Sequence, residues 1–195
     1  KHYWSLNNCM PANAEHIQRV VPSGLFEIII YLKDKPSSSN TNNSITDNVI
    51  MSGHQKDFYD LNVRGNLSLF AIYFHPHGLS LFLDTPLTEI YNHSIPLKHL
   101  LKDSVTQLED DLANTNSFED RIAIAERFLL KRIQKSEQNY QFERIRHSIN
   151  LINDNKGIIE IEQLAAESCL SRKQFERTFS DIIGASQKQF LKIVR

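Results

Sequence analysis

Two S-x-x-Q sequences near the C-terminal end, Ser171 to Gln174 and Ser186 to Gln189, constrain this chain more than any other feature. In such a capping box the serine oxygen accepts a first-turn N–H, and the glutamine reaches back to the N–H of the cap, so each pair marks a helix start. Phe175, Phe179, Ile182 and Ile183 follow the first box at helical spacing, and Gly184 is placed to end the helix they share. Arg172, Lys173, Glu176 and Arg177 project from its other faces. Upstream, Ile161 to Ser168 is apolar-periodic, and Cys169-Leu170-Ser171 reads as a turn. After the second box, Phe190, Leu191 and Val194 point inward. Two helices joined by a tight turn, the second with a buried face and a charged outer face, meet the requirements of a helix-turn-helix.

The residues are more specific than the spacing. Leu164-Ala165, Ser171, Arg172-Lys173-Gln174-Phe175-Glu176-Arg177, Phe179, Gly184, Gln189-Phe190-Leu191 and Arg195 resemble the first helix-turn-helix of AraC-type transcriptional regulators. The resemblance implies two such motifs bridged by one long helix, with Ser186 to Arg195 as the start of the bridge. The expectation is a piece without the second motif and with correspondingly weak DNA binding. The resemblance also implies that Lys173, Glu176 and Arg177 face base edges, where Arg177 could take guanine and Glu176 could accept from cytosine. Lys173 departs from the larger or aromatic residues of some relatives, which leaves phosphate contact as its alternative role.

Charge adds little to this reading. The chain of 195 residues is −1 overall, yet nine Lys/Arg against seven Asp/Glu from Glu143 onward leave that part at +2. The local Arg172, Lys173 and Arg177 cluster is therefore the better electrostatic argument. Cys9 and Cys169 are too few for a disulfide framework, and no signal peptide or spanning segment is read, so a reducing bacterial cytoplasm is expected. Cys169 stands where a turn often prefers Gly and is read as a small packing residue.

The first half reads as β. Leu25 to Leu32, Val49 to Ser52, Phe58 to Val63 and Leu67 to His75 are strand-like, with Arg64-Gly65-Asn66 as a hairpin turn between the last two. Tyr3 to Asn8 is a short aromatic segment, and Ser37 to Ser44 is expected to be a mobile surface loop. Glu27 interrupts an apolar strand and lies either on an open face or in an internal pocket. From Pro76 onward the pattern turns helical: short pieces at Gly78 to Leu83, Pro86 to Tyr91 and Pro96 to Leu101, then Val105 to Leu112, Phe118 to Ile133 and Phe142 to Ile152. Val21-Pro22-Ser23-Gly24, Ser52-Gly53-His54-Gln55 and Phe74-His75-Pro76-His77-Gly78 resemble the small cupin-like sensor domain that precedes some AraC-type modules.

His54, His75 and His77 are the tempting metal ligands, since an H-x-H pair on a barrel could bind through imidazole nitrogens. Pro76 works against a continued strand, and no Glu completes a ligand set, so two solvated histidines at a strand end are expected. No Ser/His/Asp, Cys/His or paired-carboxylate arrangement stands out, and no glycine-rich phosphate loop is present.

The sequence thus reads as an α+β chain: a cupin-like β-barrel N-terminal domain (1–101), a helical connector (102–141) and an all-α helix-turn-helix segment (142–195). By resemblance it is a DNA-binding transcription regulator, not an enzyme, with no cofactor. Its DNA-facing residues are Ser171, Arg172, Lys173, Gln174, Glu176 and Arg177. Its expected partners are double-stranded DNA, RNA polymerase, a small-molecule effector and a second copy in a homodimer, with no membrane. A cupin-type metal enzyme and a protein-interaction adaptor are the alternatives.

Overall fold

The computed structural model describes residues 2–11, 13–83, 85–133 and 140–195, so part of the expected connector, 134–139, lies outside the described residues. The fold is α+β, with an antiparallel, sheet-rich N-terminal part followed, among the described residues, by seven α-helices. Strands β1 (His2–Cys9), β2 (His16–Val20), β3 (Phe26–Tyr31), β4 (Ser37–Ser38), β5 (Val49–Ser52), β6 (Tyr59–Val63), β7 (Asn66–Phe74) and β8 (Ser94–Pro96) form two sheets. One runs β1-β7-β3-β5-β8 and the other β2-β6-β4. Val63 of the small sheet packs with Tyr31, Ile50, Leu69 and Ala71 of the large one, so the sheets meet through their apolar inner faces.

The opposite face of the large sheet carries the main core. Phe26, Ile28, Ile30, Val49, Met51, Phe70, Ile72 and Phe74 alternate with the inward set. They are covered by α1 (Leu97–Leu101), α2 (Ser104–Ala113) and α3 (Phe118–Leu130) through Leu97, Val105, Leu108, Leu112, Ala125 and Leu129. A second core unites α4 (Tyr140–Asp154), α5 (Ile161–Glu167), α6 (Arg172–Ile183) and α7 (Gln187–Val194) around Ile145, Ile149, Ile152, Leu164, Phe175, Phe179 and Phe190.

Four expectations change. The β6–β7 connection is not a hairpin: Gly65 makes a left-handed turn at φ 68°, but the two strands belong to different sheets, so the chain crosses between layers there. The segment Ser37 to Ser44 is organised rather than loose, because it holds β4 and a 3-10 turn at Thr41–Asn43. Asn43 is buried and donates to Gln55 Oε1 at 3.1 Å while accepting from Ser94 Oγ at 2.8 Å. Residues His16 to Val20, where no strand is expected, form edge strand β2, and Tyr3 to Asn8 lies inside β1. Cys169 adopts the left-handed backbone at φ 52° that suits its turn position, but its side chain is exposed where a packing role is expected.

Candidate nucleic-acid interface

Helix α6 is fixed by chemistry that the sequence states openly. Ser171 is its N-cap at φ −65° and ψ 151°, and its oxygen accepts from the Gln174 N–H at 3.4 Å. Gln174 Oε1 in return accepts from the Ser171 N–H at 3.2 Å, which completes the capping box. Gly184 closes the helix at φ 75°, donating to the Ser180 carbonyl. Beneath it Phe175 and Phe179 are wholly buried, their ring centroids 5.6 Å apart, and Phe179 meets Phe190 of α7 at 5.9 Å. Burial of two such side chains contributes about 1.5–3 kcal/mol each and sets the rotation of α6. Its rotation decides which residues face outward. The Ser186 and Gln189 box repeats the pattern at α7, and a buried contact between Ser148 and Ser168 hydroxyls at 2.7 Å ties α4 to the end of α5.

All six expected contact residues sit on α6 or at its cap, and the structure sorts them into two kinds. Ser171, Lys173, Gln174 and Arg177 together line a shallow hollow of about 390 Å³. Lys173 and Arg177 are exposed, and no ion pair is recorded for either among the described residues. Arg172 is engaged instead: its Nε donates to Glu176 at 3.1 Å one turn on, and its guanidinium also pairs with Glu162 of α5. These carboxylates hold its guanidinium above the usual range. Glu176 is therefore held by Arg172 in this structure, whereas the sequence reading gave it a base to accept from.

The other end of α6 is docked on the β half. An added Cβ at Gly184 would come within 2.6 Å of the Leu87 carbonyl, in the 3-10 turn Leu87–Ile90. Phe190 meets the ring of His54 at 5.9 Å and flanks Gly24. The docking lies at the C-terminal end and leaves Arg172 to Gln174 exposed.

The three histidines do not gather as ligands. His75 lies just past the end of β7 and is exposed, its ring 6.0 Å from that of His77. His77 is not solvated as expected: it is partly buried against Phe142 of α4 at 5.2 Å, its Nδ1 has no partner, and burial pushes it down to about 4. His54 lies elsewhere, 4.2 Å from Phe26. Among the described residues no three His, Cys, Asp or Glu side chains come together as a metal site, and no helix is long and apolar enough to cross a membrane.

A polar group between the sheets was only half legible. Glu27 points into the space between them, accepts from Trp4 Nε1 at 3.1 Å and is hydrogen-bonded to Tyr73. Of the two places open to it, the internal one is occupied. The sequence offered Glu27 itself as the signal; its partners come from distant strands and left none.

Residues 1–96 match a family described as a domain of unknown function, DUF6597. No curated protein matches the chain. Among solved structures, ToxT from Vibrio cholerae O395, bound to a naphthalenyl butenoic acid, is 14% identical, covers 100% of each chain and has a TM-score of 0.30. The AraC-like transcriptional activator CuxR is 12% identical over 97% of this chain and 74% of its own, with a TM-score of 0.37. Caps, turn and buried aromatics all fall where the sequence motif requires them, and α5 and α6 form a helix-turn-helix.

Proposed function

We propose that this chain is a DNA-binding transcription regulator of AraC type, in which α6 enters the major groove by its N-terminal end. The observation that carries the proposal is the exposed, unpaired Lys173 and Arg177 beside the Ser171 cap, on a helix whose rotation is fixed by buried Phe175 and Phe179. Arg177 is the base reader, its planar fork suited to guanine. Lys173 takes phosphate or a base edge, and Ser171 and Gln174 position the backbone. Arg172 and Glu176 brace α6 against Glu162 and set the spacing of the free cations. The N-terminal half senses a small molecule, provides the homodimer contact, or both. RNA polymerase is the downstream partner.

The separate aromatic and aliphatic core of α4 to α7 supports a reading unit that begins near residue 142; 1–101 is the sensor and 102–141 the connector, whose α2 and α3 share the core of the large sheet. The test is selection from a random double-stranded DNA pool at low salt, where phosphate contacts are strongest. Enrichment of a defined sequence, with affinity that falls steeply as salt rises, supports the proposal. No enrichment and no salt slope would favour a protein-interaction role for the same helices.

A further inference from the structure

One row of the large sheet is polar where its neighbours are apolar. By register, Tyr73 of β7 stands beside Glu27 of β3, Glu27 beside Ser52 of β5, and Ser52 beside Ser94 of β8. Trp4 of β1 stacks on Tyr73, centroids 6.1 Å apart at 16°, and donates to Glu27 at 3.1 Å. From the facing small sheet, Tyr59 of β6 bonds Ser52 and Ser94 and lies close enough to Glu27 to feel its charge. Tyr31, four residues along β3 on the same face, feels it too. Below the row the inner face is apolar: Ile29, Ile50, Leu69, Ala71 and Val63.

Glu27 is the unusual member. It is largely buried, and among the described residues no Lys or Arg pairs with it; its hydrogen-bonding neighbours are Trp4 and Tyr73. A carboxylate taken out of water without a cation is costly, and a fold does not keep one without reason. Trp4, Tyr73 and Glu27 each retain part of their surface in solvent, so the cluster is not a sealed core. Four aromatic rings and one unmatched carboxylate are the elements that recognise an organic cation: ring faces attract it electrostatically, and the carboxylate supplies the opposite charge. An anionic ligand would meet Glu27 head on, and a neutral one would leave its charge unmatched.

We infer that the cluster of Trp4, Glu27, Tyr31, Tyr59 and Tyr73 binds a small organic ammonium ion, held by Glu27 against the faces of Trp4 and Tyr73. This rests on reading the N-terminal half as a sensor, and it names the chemical class of what is sensed. The groups that face Glu27 are Tyr73 of β7, Tyr31 of β3, Tyr59 of β6 and the Trp4 indole of β1; none is cationic at neutral pH. Ammonium binding therefore draws Glu27 fully into its charged form and releases a proton to solvent. No step of this involves DNA.

Trp4 is the only tryptophan in the chain, so its fluorescence reports on this site alone. The probes are choline, tetramethylammonium and ethylammonium, each against sodium chloride at equal ionic strength, with 3,3-dimethylbutanol as the uncharged counterpart of choline. The expected result is a saturable change with at least one ammonium probe, none with the alcohol, and affinity weakened about tenfold or more in Glu27→Gln. If Glu27→Gln does not fold, the comparison of cation with alcohol on the unaltered protein decides alone. An equal response to the alcohol, or no saturable response to any of the three cations, overturns the inference. Because no DNA is present, that failure would leave the reading of α6 untouched, and failure to bind DNA would leave this site untouched.

Discussion

The imidazole of His54, just after β5, meets the ring of Phe190 in α7 edge-on, with centroids 5.9 Å apart at 75°. His54 is 1% exposed and lies 4.2 Å from Phe26, so it is an apolar seal between the β half and the helix-turn-helix. Neither ring nitrogen makes a well-formed hydrogen bond. Burial lowers its pKa from 6.5 to about 4, with the Ile183 backbone opposing weakly.

That seal makes stability depend on acid. The folded state resists protonation, so the contribution of His54 is full above pH 6.5 and is lost as pH falls towards about 4. The loss is about 3 kcal/mol. Urea midpoints at pH 7 and pH 4.5 are expected to differ less in His54→Phe than in the unaltered chain. An equal acid loss in both would mean that His54 does not carry it.

Glu27 acts in the opposite direction. Burial lifts its carboxyl to about 7, against the lowering hydrogen bonds of Trp4 and Tyr73. The folded state then holds the proton that the unfolded chain has given up, so the contribution is present at low pH and is lost as pH rises through about 7. Glu27→Gln should leave stability near its unaltered value at pH 5 and raise it by about 3 kcal/mol at pH 8.5. Thermal melting at the two pH values checks this, and a variant whose gain does not grow with pH would contradict it.

Gly184 serves two purposes that substitution can separate. Alanine there meets both the left-handed φ of 75° and the Leu87 carbonyl at 2.6 Å, whereas asparagine tolerates the backbone but still brings a Cβ. Gly184→Ala should cost about 2 kcal/mol or more. Gly184→Asn should recover only the backbone part, as read by denaturant midpoints; full recovery would mean that the close approach to Leu87 is unimportant.

How much of this the sequence revealed depended on whether the signal was local. The α6 helix was legible to the residue, because Ser171, Gln174 and Gly184 act within one turn of the helix ends they define. Buried strands were legible too, since Phe26 to Tyr31 and Val49 to Ser52 are apolar runs. Edge strands were not. His16 to Val20 is almost wholly exposed and exists because β6 offers it a partner, which no local pattern announces. Arg64-Gly65-Asn66 has hairpin chemistry, yet the strands it joins pair with β2, β4, β1 and β3. The cluster at Glu27 depends on register among five strands, and the bond between Arg172 and Glu162 on an approach between helices. Spacing along the chain encodes neither.

The cap of α6 gives a direct stability check. Ser171→Ala removes the acceptor for the Gln174 N–H and should cost about 1 kcal/mol. Ser171→Asp should restore most of it, as followed by thermal melting.

The claim that α6 reads DNA is tested most directly by Arg177→Ala, titrated against the DNA sequence that the chain selects and its single-base variants at two salt concentrations. The expected result is a loss of about 1–3 kcal/mol on the selected sequence, relaxed preference at one base pair, and an unchanged melting temperature. Arg172→Ala, as a bracing residue, should lower the melting temperature and leave base preference alone. If Arg177→Ala lowers the melting temperature and leaves base preference intact, Arg177 is a structural residue and the docking of α6 in the groove is wrong.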